Sequence, residues 1–151
     1  LVVLDTEDLT RVQVVEDMPV VKKRVGKTDR ARLDFSGLDE ILARLNVPEP
    51  IDLVVIEDPG ARPAQAGAMA FGFSLGALHK TFHSLRWRVE TIVPTKWKPA
   101  LRAPKDKEQA TQRAEELFPQ SRELFRGPKG GKLDGRAEAA MLALYGAKHF
   151  L

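Results

Sequence analysis

The sequence predicts a single α/β domain built as a mixed sheet with helices on its faces. Three observations carry that expectation. Short β-branched runs crowd the first fifth of the chain and later alternate with helix-periodic segments, the order that lays helices over a sheet. A nearly all-apolar run, Ile51-Asp52-Leu53-Val54-Val55-Ile56, reads as a strand buried on both faces. The 151 residues, 43% hydrophobic, suffice for one core, and no internal repeat or long linker divides them. The domain is therefore taken as residues 1–151.

The elements follow in order. Leu1 to Leu4 and Val12 to Val15 read as a hairpin across an Asp5–Thr10 turn. Met18 to Val21 either continues it or begins a third strand. Lys22 to Arg32 is basic without an apolar period, the pattern of an exposed loop or hairpin tip. Ser36 is placed as a helix N-cap, with Asp39 in the capping-box position. Leu38, Ile41, Leu42 and Leu45 then give a helical face, and Pro48 and Pro50 stop it. Ala64 to Ser84 reads as a long helix rich in small residues, with Gly67, Gly72 and Gly76 inside it. Trp87 to Val93 is a strand, Pro94 to Leu101 a turn or short helix, and Asp106 to Leu117 a charged helix ending at Phe118-Pro119. Gln120 to Lys132 reads as a mobile loop, and Leu133 to Lys148 as the last helix.

Composition narrows the chemistry. The absence of cysteine excludes disulfides, thiolate zinc sites and cysteine nucleophiles. No apolar run approaches the length of a membrane span, and no signal peptide is visible, so a cytoplasmic, membrane-free protein is expected. The net charge of +3 is mildly basic, and points to nucleic acid only where the charge is clustered.

Carboxylates carry the sharpest signal. Glu57 ends the central apolar run, just before the Pro59-Gly60 turn. Asp134 and Glu138 lie four apart, on one face of the last helix. A carboxylate at a strand end and two on a helix face are how a protein builds an oxygen-ligand site for Mg²⁺. Plainer readings stand beside this one. Asp134 also suits a first helical turn, where acids meet the helix dipole, and Glu138 suits a solvated surface. Glu57 suits a solvated strand end or a lysine partner.

Basic residues form three groups in or near loops. The first is Lys22, Lys23, Arg24, Lys27, Arg30 and Arg32. The second is Lys96, Lys98, Arg102, Lys105 and Lys107, and the third is Arg126, Lys129 and Lys132. Such loops suit a polyanion, or equally a solvated face on a charge-rich protein. His79 and His83 are four apart but lack the glutamate of a metalloprotease motif and any evident third ligand. Trp87 and Trp97 are read as core or interface residues. Phe71 and Phe73 are read as core, with a wedge or dimer contact as alternatives.

The text from Leu1 to Tyr145 resembles the RuvC-like Holliday junction resolvases. The resemblance rests on Val54-Val55-Ile56-Glu57, the following Gly/Pro loop, and the small-residue helix with Phe71-Gly72 and Gly76. It extends through Val93-Pro94-Thr95-Lys96-Trp97-Lys98, which is similar to a P-x-x-W-K stretch of the phage, bacterial and chloroplast branch. Lys105-Asp106-Lys107 leading to Leu117-Phe118-Pro119, and Asp134-Gly135-Arg136-Ala137-Glu138-Ala139, complete it. The resemblance implies a ribonuclease H-like fold and a homodimer with its interface on the Ala64–Ser84 helix. It implies Mg²⁺-dependent (or Mn²⁺-dependent) paired nicking of four-way DNA junctions by a phage-encoded or bacterial, nucleoid-associated enzyme. Glu57, Asp134 and Glu138 would be metal ligands and Lys105 or Lys107 a phosphate contact. The DNA surface would comprise Lys22, Lys23, Arg24, Lys27, Arg30, Lys96, Lys98, Arg102, Lys105, Lys107, Lys129 and Lys132. The family's first strand bears an aspartate that has no counterpart here. Leu1 to Leu4 looks like the second strand, and Asp5 is a poor substitute, so an incomplete site and a weakened sheet are expected. Two other functions fit the same resemblance: a non-catalytic branched-DNA-binding module, and an RNA-processing nuclease.

Overall fold

Val2–Leu4 (β1) and Val12–Val15 (β2) form an antiparallel ladder, with Val2 opposite Val15 and a register shift before Leu4 meets Val12. Aspartates hold the connecting turn. Glu7 N–H donates to Asp5 Oδ1 and Thr10 N–H to Asp8 Oδ1, the short side-chain bonds that replace backbone turns. These details come from a computed structural model, which describes residues 1–25, 28–45, 51–60, 68–128, 130–131 and 133–151. The expectations for Lys27, Lys129, Lys132, the Pro48 and Pro50 stop and the 64–67 start of the long helix lie outside those residues.

Val20–Val25 (β3) and Thr28–Leu33 (β4) pair antiparallel from Val20 opposite Leu33 to Val25 opposite Thr28. The basic 22–32 segment is thus mostly paired strand rather than loop. Its described side chains are mostly exposed, Val20 and Val21 among them, and the backbone ladder defines it.

Phe35–Arg44 (α1) is capped by Asp34, whose Oδ1 accepts from Gly37 N at 3.3 Å. This corrects the Ser36 assignment. Asp34 is still extended as β4 ends, so it holds the cap position and Ser36 falls inside the first turn. Leu38 and Ile41 are buried as the period requires.

Val54–Glu57 (β5) and Val89–Ile92 (β6) run parallel, with Glu57 opposite Ile92. Ala68–Ser84 (α2) is the crossover between them. It ends in a paired cap: Trp87 N–H donates to Phe82 O and Arg86 N–H to His83 O. The Phe82 and Trp87 rings stack across this cap, while Arg86 takes the left-handed conformation usually given to glycine, φ 60°.

Pro94–Ala100 (α3), Lys107–Leu117 (α4) and Asp134–Phe150 (α5) complete the helices. Between α4 and α5 the expected mobile loop is half structure. Pro119–Phe125 is a short 3₁₀ segment whose Ser121 and Phe125 are buried. Phe125 packs on Phe118, ring centroids 5.9 Å apart, and Ser121 Oγ accepts from Val12 N–H, tying the segment to β2. Trp97, Phe118, Phe125, Ala137, Ala140 and Met141 form a fully buried centre between α3, α4, the 3₁₀ segment and α5.

The mixed α/β class is as expected, but the single sheet is not. Among the described residues the strands make three separate two-stranded ladders. The last helix bridges two of them, packing on both β1 and β5. Gly146 permits the approach to β5, since a Cβ there would fall 2.2 Å from Val55 Cγ2. Among the described residues no helix is long and apolar enough to cross a membrane.

Candidate active site

The parallel ladder sets the site. Because β5 and β6 run side by side, the chain leaving β6 starts α3 beside the end of β5. Pro94 opens that helix, where its missing N–H costs nothing and its fixed φ suits the first turn. One turn on, Trp97 is fully buried and its Nε1–H donates to Glu57 Oε2 at 2.7 Å. The next residue, Lys98, reaches the other way, and its Nζ donates to Glu138 Oε1 on α5 at 2.5 Å. Its ammonium also lies 5.2 Å from the Trp97 ring centroid. Neighbouring residues of one short helix therefore hold the strand-end carboxylate and the helix-face carboxylate.

Asp134 is held from α4. Asp106 caps that helix by accepting from Gln109 N, so that Lys107 stands in its first position. Lys107 Nζ meets Asp134 Oδ2 at 2.7 Å. The bond to Asp134, then its charge, raise the Lys107 pKa above 10.5, and Glu138 adds to the effect from further off. Glu57, Asp134 and Glu138 thus share one end of the molecule. Three carboxylates meet two ammonium groups there, which leaves a formal excess of one negative charge.

That donor set suits a hard divalent cation in kind, being all carboxylate oxygen. Among the described residues, however, no three acids or imidazoles stand close enough together to hold an ion between them. Each carboxylate instead faces a cation or an N–H, so Lys98 and Lys107 supply positive charge where an ion would.

The basic candidates divide. Lys22, Arg24, Lys96, Arg102, Lys105 and Lys107 are exposed, while Lys98 is half-buried against Glu138. Lys23 and Arg30 lie in the β3–β4 ladder. Arg126 is bound inward, bridging Glu108 at 2.8 Å and Glu115 at 2.6 Å, so the third basic group loses it as a free cation. Arg136 is likewise committed, donating from Nε and Nη2 to the two oxygens of Asp17. His79 hydrogen-bonds Thr91 Oγ1 through Nε2 and stacks on His83.

Sequence reasoning missed the Trp97–Glu57 bond. The signal was present in the parallel order of two strands with a proline-started helix directly after the second. Comparison with protein-family models and with curated proteins finds no match.

Proposed function

We propose that this protein is a structure-selective endodeoxyribonuclease that resolves four-way DNA junctions by paired, Mg²⁺-dependent phosphodiester hydrolysis. In this reading it works on a ribonuclease H-like fold, as a cytoplasmic, nucleoid-associated homodimer. One observation supports it: Glu57, Asp134 and Glu138, picked out by their sequence contexts, are each held by a residue of α3 or α4, Glu57 and Glu138 by the adjacent Trp97 and Lys98 and Asp134 by Lys107.

Glu57, Asp134 and Glu138 would hold the metal, with Mn²⁺ able to replace Mg²⁺. Bound there, such an ion would supply charge for activating water and stabilising a leaving oxygen. The protein's own part is positional. Trp97 fixes the Glu57 carboxylate through its Nε1–H. Lys98 and Lys107 neutralise Glu138 and Asp134 until substrate arrives, and are then placed to meet the scissile phosphate. Exposed Lys96, Arg102 and Lys105, close in sequence to Lys98 and Lys107, would follow the backbone of the junction arms.

Dimerisation is supported by α2. Met69, Phe71 and Phe73 are exposed on it, and Phe73 keeps 67% of its surface in solvent. Among the described residues nothing lies within 4 Å of where a Cβ on Gly72 or Gly76 would stand. A second copy would cover this apolar helix.

One finding favours a second reading, a module that binds branched DNA without cutting it. Each of the three carboxylates already has its own donor, and the three do not form a group that could hold an ion as they stand. Junction cleavage by the natural full-length protein, beside a linear duplex of the same sequence, separates the two. Paired nicks confined to the junction establish the nuclease, binding without nicks establishes the module, and failure to bind refutes both.

A further inference from the structure

Two imidazoles on α2 have no part in the carboxylate site. His79 and His83 are four residues apart, which sets their side chains one turn from each other on a single helix face. Their rings stack, with centroids 6.1 Å apart and planes inclined by 30°. His79 is held in place: its Nε2 shares a 2.8 Å hydrogen bond with Thr91 Oγ1 on β6. His83 is exposed, and among the described residues its ring takes part in no hydrogen bond. It stands in the last turn of α2, where the helix dipole presents its negative end to a cation. The neighbouring cations are engaged elsewhere, Lys80 with Ser84 Oγ and Arg88 with Glu90.

The donor type defines the ligand. Imidazole nitrogen suits copper, nickel and zinc, whereas Mg²⁺ and Ca²⁺ take oxygen. Two rings joined through one ion, with metal–nitrogen bonds of about 2.0–2.1 Å, have centroids at most about 6.5 Å apart. The observed separation falls inside that limit, and the exposed His83 ring is the one free to swing closer. Thr91 engages one nitrogen of His79, as the outer partner of a ligating histidine does, and leaves Nδ1 for an ion. Among the described residues no third acid or imidazole joins the pair. Water therefore completes the coordination, and the ion exchanges freely, unlike a structural zinc closed by four protein ligands.

We propose that His79 and His83 form a two-imidazole site for one exchangeable divalent cation of the Cu²⁺, Ni²⁺ and Zn²⁺ class, with Thr91 as the positioning residue. The ion clasps the last two turns of α2, which Thr91 ties to β6. The site is separate from the carboxylates. Glu57 pairs with Ile92, and Thr91, one residue before Ile92, faces the other side of the ladder. The inference is independent of the nuclease reading, and its test contains no DNA.

The test is isothermal titration of the untagged protein with nickel chloride in a non-coordinating buffer near neutral pH. Saturable binding of one ion per chain is expected, and excess Mg²⁺ should not displace it. Thr91→Val should weaken the affinity about tenfold, the usual cost of losing an outer partner. His83→Gln should weaken it further, because one imidazole cannot chelate. His149→Gln, which removes the chain's remaining imidazole, should leave binding unchanged. Circular dichroism reports whether each variant folds. Three results would overturn the proposal: no saturable Ni²⁺ binding by the unmutated protein, equal binding by folded His83→Gln, or displacement of Ni²⁺ by Mg²⁺. The last would mean that carboxylates hold the ion.

Discussion

Removing the Trp97 indole N–H should destabilise the protein by an amount that depends on the charge of Glu57. Trp97 is fully buried and donates to Glu57 Oε2 at 2.7 Å. In Trp97→Phe, shrinkage of the ring costs about 1–2 kcal/mol in lost packing. The missing bond to a charged acceptor adds roughly 1.5–3 kcal/mol. In a Glu57→Gln background the acceptor is a neutral amide oxygen, and the bond is worth only about 0.5–1.5 kcal/mol. The packing loss is the same in both backgrounds and cancels. Trp97→Phe should therefore cost about 1 kcal/mol less beside Gln than beside Glu, roughly a fivefold difference in the unfolding equilibrium. Urea unfolding of the four proteins, followed by far-UV circular dichroism, measures this directly. Equal costs in the two backgrounds would show that the charge on Glu57 adds nothing to the bond and would refute this reasoning.

Other expectations follow from single contacts. Gly146→Ala should destabilise by about 1–3 kcal/mol despite alanine's better helix propensity, because its Cβ would strike Val55 Cγ2; Val55→Ala should restore much of the loss in urea unfolding. Arg86→Gly should stabilise by about 1 kcal/mol, since glycine takes the left-handed cap position without strain, and thermal unfolding would show it. The Asp17 carboxyl is held below its ordinary value of 3.8, first by its hydrogen bond from Arg136. A depressed folded pKa gives stability that is present above pH 3.8 and lost as pH falls through the folded value. Arg136→Gln should therefore reduce stability at pH 7 and lose that deficit in strong acid, as acid titration of both proteins would report. Phe73→Asp should turn a dimer into a monomer on a sizing column if α2 is the interface.

The sequence made some of this architecture plain and hid the rest for physical reasons. β1, β2 and α5 were legible because each buries a face, which leaves an apolar period or run. The β3–β4 hairpin was not, because strands whose described side chains are mostly exposed leave no period to read. Asp34 was missed as the cap of α1 because it looks like the end of a strand, whereas Ser36 three residues ahead of Asp39 mimics a capping box. The 3₁₀ segment was hidden by the glycines and the proline that follow it, although Phe118 and Phe125 anchor it from either end. The separation of the ladders could not be read at all, since strand order depends on pairings between distant segments.

For the candidate site, the carboxylates stood out while their partners did not. Lys98 and Lys107 look alike in sequence to exposed Lys96 and Lys105, and only the packing of α3 and α4 against α5 turns them onto Glu138 and Asp134. Trp97 reads as a core residue, and it is one; its polar edge gains a role only because parallel strands bring α3 to the end of β5.

The most direct measurement is nicking of a synthetic four-way junction in Mg²⁺ by the natural full-length protein and by its Glu57→Gln variant, with junction binding recorded for both. The account predicts symmetric nicks confined to the junction, lost in the variant while binding persists. Undiminished nicking by Glu57→Gln, or equal cutting of linear duplex, would contradict it.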